Sequence, residues 1–344
     1  ALQEDLFEAI TSFEKIFESN SKEINQYLKN IDEKNRIYGV SDTEGKYFIM
    51  YAWLRLSGMV EKFNFNEPEY IEYDIEKDIF IDNKKLTGTY SKYRQGLKKD
   101  RYRNVFYDEV NKIIRFPKLR IKNEWSSKCI HLGDILDRGK HGAICLLTLL
   151  YLKNYLNKNI TNKSNNLILV LGNHEIHRYS KHYFDILGSD GEKDLLIDIV
   201  CKWIEKGQKK FFDKIKIGGQ DVLLTHREIS KQTAQMLFDK KIFGNFDIRE
   251  AKNFLLHVDD MNKHFIENPQ KKTIDCDKWI EVDKNDITNI FLSQLCGHYH
   301  HGLRKGRGRF VDKGRDGYFF FDKKNGNFIC YFDNFSTTEY VGIY

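Results

Sequence analysis

From Leu6 to Leu28 the apolar residues Phe7, Ile10, Phe13, Ile16, Phe17, Ile24 and Leu28 recur at helical spacing, with acids and lysines between them. That pattern predicts an amphipathic N-terminal helix or helix pair. IYGV then reads as a short strand that stops at SDTEG, and KYFIMYAWLRLSGMV is apolar enough for a buried helix. Residues 65–122 change character. EYIEYDIEKDIFID alternates apolar and polar positions in strand fashion, and a Lys/Arg/Tyr-rich segment leads from it to the strand KIIRF.

The strand-then-helix rhythm resumes with KCIHL, GDILDRG and the helix AICLLTLLYLKNYL, followed by the strand NLILVL and GNHEIHR. DVLLT delivers His226, and the stretch from Ile229 to about Asn268 is helical in pattern, with Phe254, Leu255 and Met261 on one face. IFLSQL leads into CGHYHHG and a basic loop from Arg304 to Arg315, read as a solvated turn. YFFFDKKNGNFICYF predicts a hairpin, its Asn325-Gly326 suiting a two-residue turn. The pattern predicts one α/β domain over 1–344, with an N-terminal helical extension (1–35), a β-rich insertion (65–122) and a helical cap-like insertion (230–285).

Composition narrows the classes. With 344 residues and 41% hydrophobic content the chain can bury a large core, and none of its apolar runs is long enough to span a bilayer. The opening ALQEDLFEAI has no basic-then-apolar signal pattern, so the expectation is a soluble chain, trimmed at a start without Met. Net charge is +6, from 56 basic and 50 acidic residues mixed along the chain, which argues against a nucleic-acid partner. Six scattered cysteines without C-x-x-C spacing read as reduced thiols of a reducing cytoplasm. The N-terminal helix is read as packing on the domain, with a peripheral membrane or partner contact as the lesser reading. The expected state is a monomer.

Five stretches share one design, an apolar strand that stops at a metal-competent side chain. They are SDTEG (Asp42, Glu44), GDILDRG (Asp134, Asp137), GNHE (Asn173, His174), LLTHRE (His226) and CGHYHHG (His298, His300). In α/β sheets such strand ends gather at one edge, and carboxylate, amide and imidazole donors together suit divalent ions such as Mn, Fe or Zn.

In these motifs, taken in order, the chain resembles the calcineurin-like metallophosphoesterases, whose pattern runs GDxHG, GDxxDRG, GNHE, a strand-end His and a late GH or GHxH. GDILDRG and GNHE match at every fixed position, and their spelling is similar to that of the phosphoprotein phosphatase branch. The C-terminal FSTTEYVG resembles that branch's FSAPNYCG. The resemblance implies a metallophosphoesterase-type β-sandwich of central mixed sheets flanked by helices. It implies two divalent ions, most readily Mn with Fe, Zn or Mg as alternatives, and a hydroxide bridging them. Asp42 would hold the first ion and Asp134 would bridge both, at about 3.5–4 Å separation. Asn173, His226 and His298 would hold the second, and His300 would return to the first. His174 is implied as general acid, oriented by Asp137, and Arg138 as the phosphate clamp. Glu175 is read as supporting its loop.

Two departures qualify the pattern. Ser41 stands for the usual Gly and Glu44 for a His ligand; an oxygen donor there would make the first site harder and favour Mn or Mg. THREIS lacks the two glycines that follow the branch's histidine, and Arg227 is the candidate replacement for a distal phosphate-binding arginine. The implied activity is dephosphorylation of phosphoserine and phosphothreonine in phosphoprotein substrates. Phosphotyrosine phosphatase, dinucleoside-polyphosphate hydrolase and a binding module on a decayed scaffold stand as alternatives. The Lys/Asn/Ile-rich composition also resembles the bacterial effector phosphatases of the WipA and WipB type, which implies secretion into a host cell.

Overall fold

The computed structural model describes residues 6–29, 36–85, 107–108, 112–136, 139, 141–175, 199–200, 202–203, 210–267, 290–297, 318–332 and 342–343. Among these, three sheets and their helices form a mixed α/β architecture. Strands β1 (Ile37–Val40), β6 (Lys128–His131) and β7 (Leu167–Leu169) lie parallel in one sheet, with β13 (Gly342–Ile343) antiparallel on the far side of β1. A second sheet has the order β11 (Tyr318–Phe321), β12 (Phe328–Tyr331), β10 (Gln294–Cys296), β9 (Gln220–Thr225), β8 (Phe212–Ile217). The third is antiparallel, with β3 (Ile79–Lys85), β2 (Glu69–Asp74), β5 (Ile113–Pro117) and β4 (Tyr107–Asp108) in that order.

Period-two alternation along the strands builds the sandwich. Ile130, Leu132, Ile168 and Val170 of the first sheet meet Val222, Leu224, Leu295 and Cys330 of the second in one buried cluster. Their neighbours in register, Cys129, Leu167, Leu169 and Leu223, face the larger cluster that the helices complete. On that side lie α1 (Leu6–Leu28), α2 (Tyr47–Leu56) and α3 (Gly142–Asn159). Nearly every residue of α2 and the first eleven of α3 are buried, so these two helices are apolar all round rather than on one stripe. Beyond β9 the chain forms α4 (Lys231–Asp239), α5 (Ala251–Leu256) and α6 (Val258–Glu267). Ser230 caps α4 by accepting the Thr233 amide hydrogen. No helix among the described residues is long and apolar enough to cross a membrane.

EYIEYDIEKDIFID, strand-like in its alternation, forms two strands, because Asp74 accepts the Lys77 amide hydrogen and Tyr73 Oη donates to Asp78, closing a turn between β2 and β3. One local expectation is corrected. Asn325-Gly326 does not make a two-residue turn. Phe321 pairs with Phe328, leaving a six-residue connection closed by Asp322 N–H to Asn327 O and Gly326 N–H to Asp322 O. The Asn325 and Asn327 amides donate to Ile290 O, a tertiary tie that outweighs the local turn preference.

Helix α1 is fixed to α2 by more than apolar contact. Glu14, 4% exposed, accepts from Tyr51 Oη at 2.6 Å and from Arg55 Nε and Nη2 at 2.6 and 3.2 Å. Removing one partner of such a buried pair leaves the other charge without compensation. Glu14→Ala should therefore lower the unfolding free energy by about 3–5 kcal/mol in urea titration; a loss below about 1 kcal/mol would show the pair to be dispensable.

Candidate metal centre

Strands β1, β6 and β7 are parallel and in register from Val40 to His131 to Leu169, so their chains leave the sheet at the same edge. Each continues into a loop bearing a polar side chain, Asp42, Asp134 and Asn173 respectively. The second sheet brings His226 to that edge, because Thr225 of β9 is in register with Cys296 of β10 and both strands end there. Asp42, Asp134 and His226, all buried, each offer one ligand atom, and these atoms lie within 4.8 Å of one another. Asn173 Oδ1 is 2.9 Å and Asp134 Oδ2 3.2 Å from His226 Nε2.

The surroundings of His226 show what this cluster accommodates. Its Nδ1 lies 2.7 Å from Leu132 O, which can only accept, so the ring donates there. Nε2 is then turned toward the oxygens of Asn173 and Asp134, and in the metal-free protein a proton must sit between them. Burial works against that second proton, yet the Asp134 carboxylate outweighs it and holds the imidazole up at about 9. A divalent cation placed among the same lone pairs satisfies the oxygens and the nitrogen together. The donor set of two carboxylates, one imidazole and one amide oxygen therefore fits an ion of the Mn, Fe or Zn kind.

The loops that carry these groups are held in unusual geometry. Asp42, Glu44 and Asp134 all sit at left-handed φ, 54°, 47° and 55°. Such conformations persist where the surroundings over-determine them. Here the two loops bond to each other, Asp42 N–H to Gly133 O and Glu44 N–H to Asp134 O, both at 2.9 Å. Glu175 locks the other side. Its carboxylate accepts the amide hydrogens of Gly172, Asp134, Ile135 and Leu136 at 2.8 to 3.1 Å, joining the GNHE and GDILD loops. Gly172 permits this approach, since a Cβ there would lie 2.1 Å from Asp134 Oδ1.

His174 donates its backbone N–H to Asp134 Oδ1 at 3.0 Å, and its Nε2 lies 3.6 Å from Asp134 Oδ2, so its ring borders the cluster. Glu44 is buried but stands outside the three-residue cluster, with Oε2 3.7 Å from Lys46 Nζ. Arg227, next to His226, is 8% exposed. Asp137, Arg138, His298 and His300 lie outside the described residues, as do the basic loop and all of FSTTEYVG except Gly342, which begins β13.

Sequence reading gave no role to Ser41 beyond its replacement of a glycine, nor any to His131, Thr43 and Gly297. Ser41 Oγ donates to Asp42 Oδ2, turning that carboxylate. Gly297 is what makes room for it: a Cβ at 297 would lie 1.7 Å from Ser41 Oγ. His131 is buried between the loops; burial pulls its imidazole down to about 3 against the nearby Asp134 charge, so the ring is neutral. The only trace of it in the sequence was a histidine ending an apolar strand.

A family model described as calcineurin-like phosphoesterase matches residues 100–331. No curated protein matches the chain. Among solved structures, a cold-active protein tyrosine phosphatase is similar at 15% identity and a TM-score of 0.33, over 77% of this chain. The chain covers 64% of that protein's length, and a likeness so slight carries no argument.

Two predictions follow from this geometry. Gly297→Ala should destabilise the protein by about 1–3 kcal/mol through overpacking against Ser41, and the double variant Ser41→Gly, Gly297→Ala should recover most of that loss. Equal unfolding midpoints for the single and double variants would contradict the contact. For His226, a folded pKa of about 9 lies above its ordinary value near 6.5. In metal-stripped protein its contribution to stability is thus fully present below about pH 6.5 and is lost as pH rises through 9. Urea unfolding in chelator should show wild type more stable than His226→Gln at pH 6.5, with the gap closing by pH 9.5; a gap that widens would overturn the assignment.

Proposed function

The chain belongs to the calcineurin-like phosphoesterases, and from that premise we propose that it is a metal-dependent phosphomonoesterase acting on phosphoserine and phosphothreonine in proteins. The observation that carries the chemistry is the convergence of Asp42, Asp134 and His226 at one sheet edge. A pair of buried carboxylates facing a buried imidazole is difficult to account for in a scaffold that binds no cation. The narrower choice of substrate rests on the complete spelling of GDILDRG and GNHE and on the C-terminal FSTTEYVG, which together favour the phosphoprotein phosphatase branch.

In this proposal Asp42, Asp134, Asn173, His226, His298 and His300 would hold two divalent ions, with Asp134 shared between them. Bound divalent ions, Mn foremost, supply positive charge that neutralises phosphoryl oxygens and acidifies water. The protein's own groups do the rest. His226 is kept with Nε2 toward the site by its Nδ1–H bond to Leu132 O. His174 delivers a proton from its ring to the departing alkoxide oxygen, and Asp137 orients that ring. Arg138 grips two phosphoryl oxygens with its planar fork, and Arg227 supplies a further positive charge beside His226. Ser41 and Glu175 keep the carboxylates and loops in place before substrate arrives.

Metal-stripped protein resupplied with Mn should hydrolyse phosphoserine and phosphothreonine peptides faster than phosphotyrosine peptides. Asp134→Asn and His174→Asn should each lower kcat at least about 100-fold. Faster turnover of phosphotyrosine would overturn the substrate class. Turnover that is indifferent to metal, or intact in both variants, would overturn the mechanism.

A further inference from the structure

We propose that His131 is a positioning residue for the metal centre, its imidazole tying the loop that carries Asp42 to the loop that carries Asp134. The inference rests on the phosphoesterase reading above and extends it to a residue outside the family's motif positions. His131 ends β6, is fully buried, and lies on the face of the sheet turned toward the helices. The indole of Trp53 in α2 meets it edge-on, with ring centroids 5.6 Å apart, and is itself fixed by Nε1–H donation to Tyr38 O.

The hydrogen bonds settle the tautomer. Gly133 N lies 3.2 Å from His131 Nδ1, and an amide N–H can only donate, so Nδ1 is the acceptor. A neutral ring then carries its proton on Nε2, which lies 3.0 Å from Thr43 Oγ1 and donates to it. Gly133 immediately precedes Asp134, and Thr43 immediately follows Asp42. One ring therefore holds the neighbour of each carboxylate, across 88 residues of sequence. Thr43 is as buried as His131, so water offers neither group a replacement partner.

The tie matters because of where the loops sit. Asp42 and Asp134 have left-handed φ, and the amides of Asp42, Glu44 and Gly45 donate to the carbonyls of Gly133, Asp134 and Ile135 in the facing loop. Those bonds set how far apart the main chains lie. The imidazole adds a side-chain strut between the two loops, separate from the Glu175 carboxylate that joins the second loop to GNHE. Without it, the separation of the two carboxylates would depend on a loop conformation that L residues adopt reluctantly. Groups that orient metal ligands in this way typically change affinity by about 10–100-fold when removed.

The test separates a strut from mere core packing. Phenylalanine fills the place of the ring without either hydrogen bond, and Thr43→Val keeps the shape of residue 43 without its hydroxyl. Mn binding to metal-stripped protein is measured calorimetrically for wild type, His131→Phe, Thr43→Val and the double variant, each with its urea unfolding midpoint. The expected result is Mn affinity weaker by about tenfold or more in each single variant, with the double variant no weaker than the worse single, since either change already cuts the tie. Thr43→Val decides the question if His131→Phe does not fold. Wild-type Mn affinity in folded Thr43→Val overturns the proposal, as do losses that simply add in the double variant, or a lowered midpoint with unchanged Mn affinity. Wild-type protein that binds no Mn overturns the phosphoesterase reading beneath it, a failure distinct from any of these.

Discussion

Two like charges confined together are the constraint from which the rest of the structure follows. Asp42 and Asp134 are 0% and 1% exposed, and their ligand atoms lie within 4.8 Å of each other. At an effective dielectric near 20, such a pair repels by at least about 3 kcal/mol, before any cost of taking carboxylates out of water. That is a sizeable share of the roughly 5–15 kcal/mol that holds a folded domain together. The protein answers with fixed geometry and with the His226 imidazole, which the nearby carboxylates hold up at about 9 when no metal is bound. Parallel strands in register fix the two loops, Glu175 collects four amide hydrogens, and His226 contributes a nitrogen aimed at Asp134. What remains is a place for a cation.

The family match begins at residue 100, yet one of the three converging side chains, Asp42, lies well before it. Its presence at the site is a matter of pairing. β1 joins β6 through a four-residue parallel register, and α2 packs behind both. The N-terminal segment thus supplies one of the three converging side chains and also the support behind it. Trp53 backs His131, and Glu14 on α1 fixes Arg55 and Tyr51 on α2. A truncation at the start of the match would remove chemistry as well as stability.

Much of this was legible in the sequence because it depends on local pattern. Strands such as KCIHL and DVLLT and the helices of α2 and α3 are set by runs of apolar residues, and their spacing places the strand ends. The convergence of Asp42, Asp134, Asn173 and His226 followed from that spacing together with the order of motifs. Side-chain direction did not. Glu44 lies two residues after Asp42, also at left-handed φ, and its Oε2 is 3.7 Å from Lys46 Nζ, a placement that spacing alone did not indicate. Ser41 and Gly297 are complementary only because loops from different sheets meet, and no local rule brings 41 to 297. Asn325-Gly326 is the opposite case, a strong local turn signal overridden by amide contacts to Ile290.

The measurement that bears most directly on this account is an anomalous-diffraction map from crystals of the full chain soaked in Mn. The expected map shows a peak within bonding distance of Asp42, Asp134 and His226 together, with Asn173 beside it. A peak that engages Asp134 and His226 while Asp42 points away, or Mn bound only elsewhere on the surface, would contradict it.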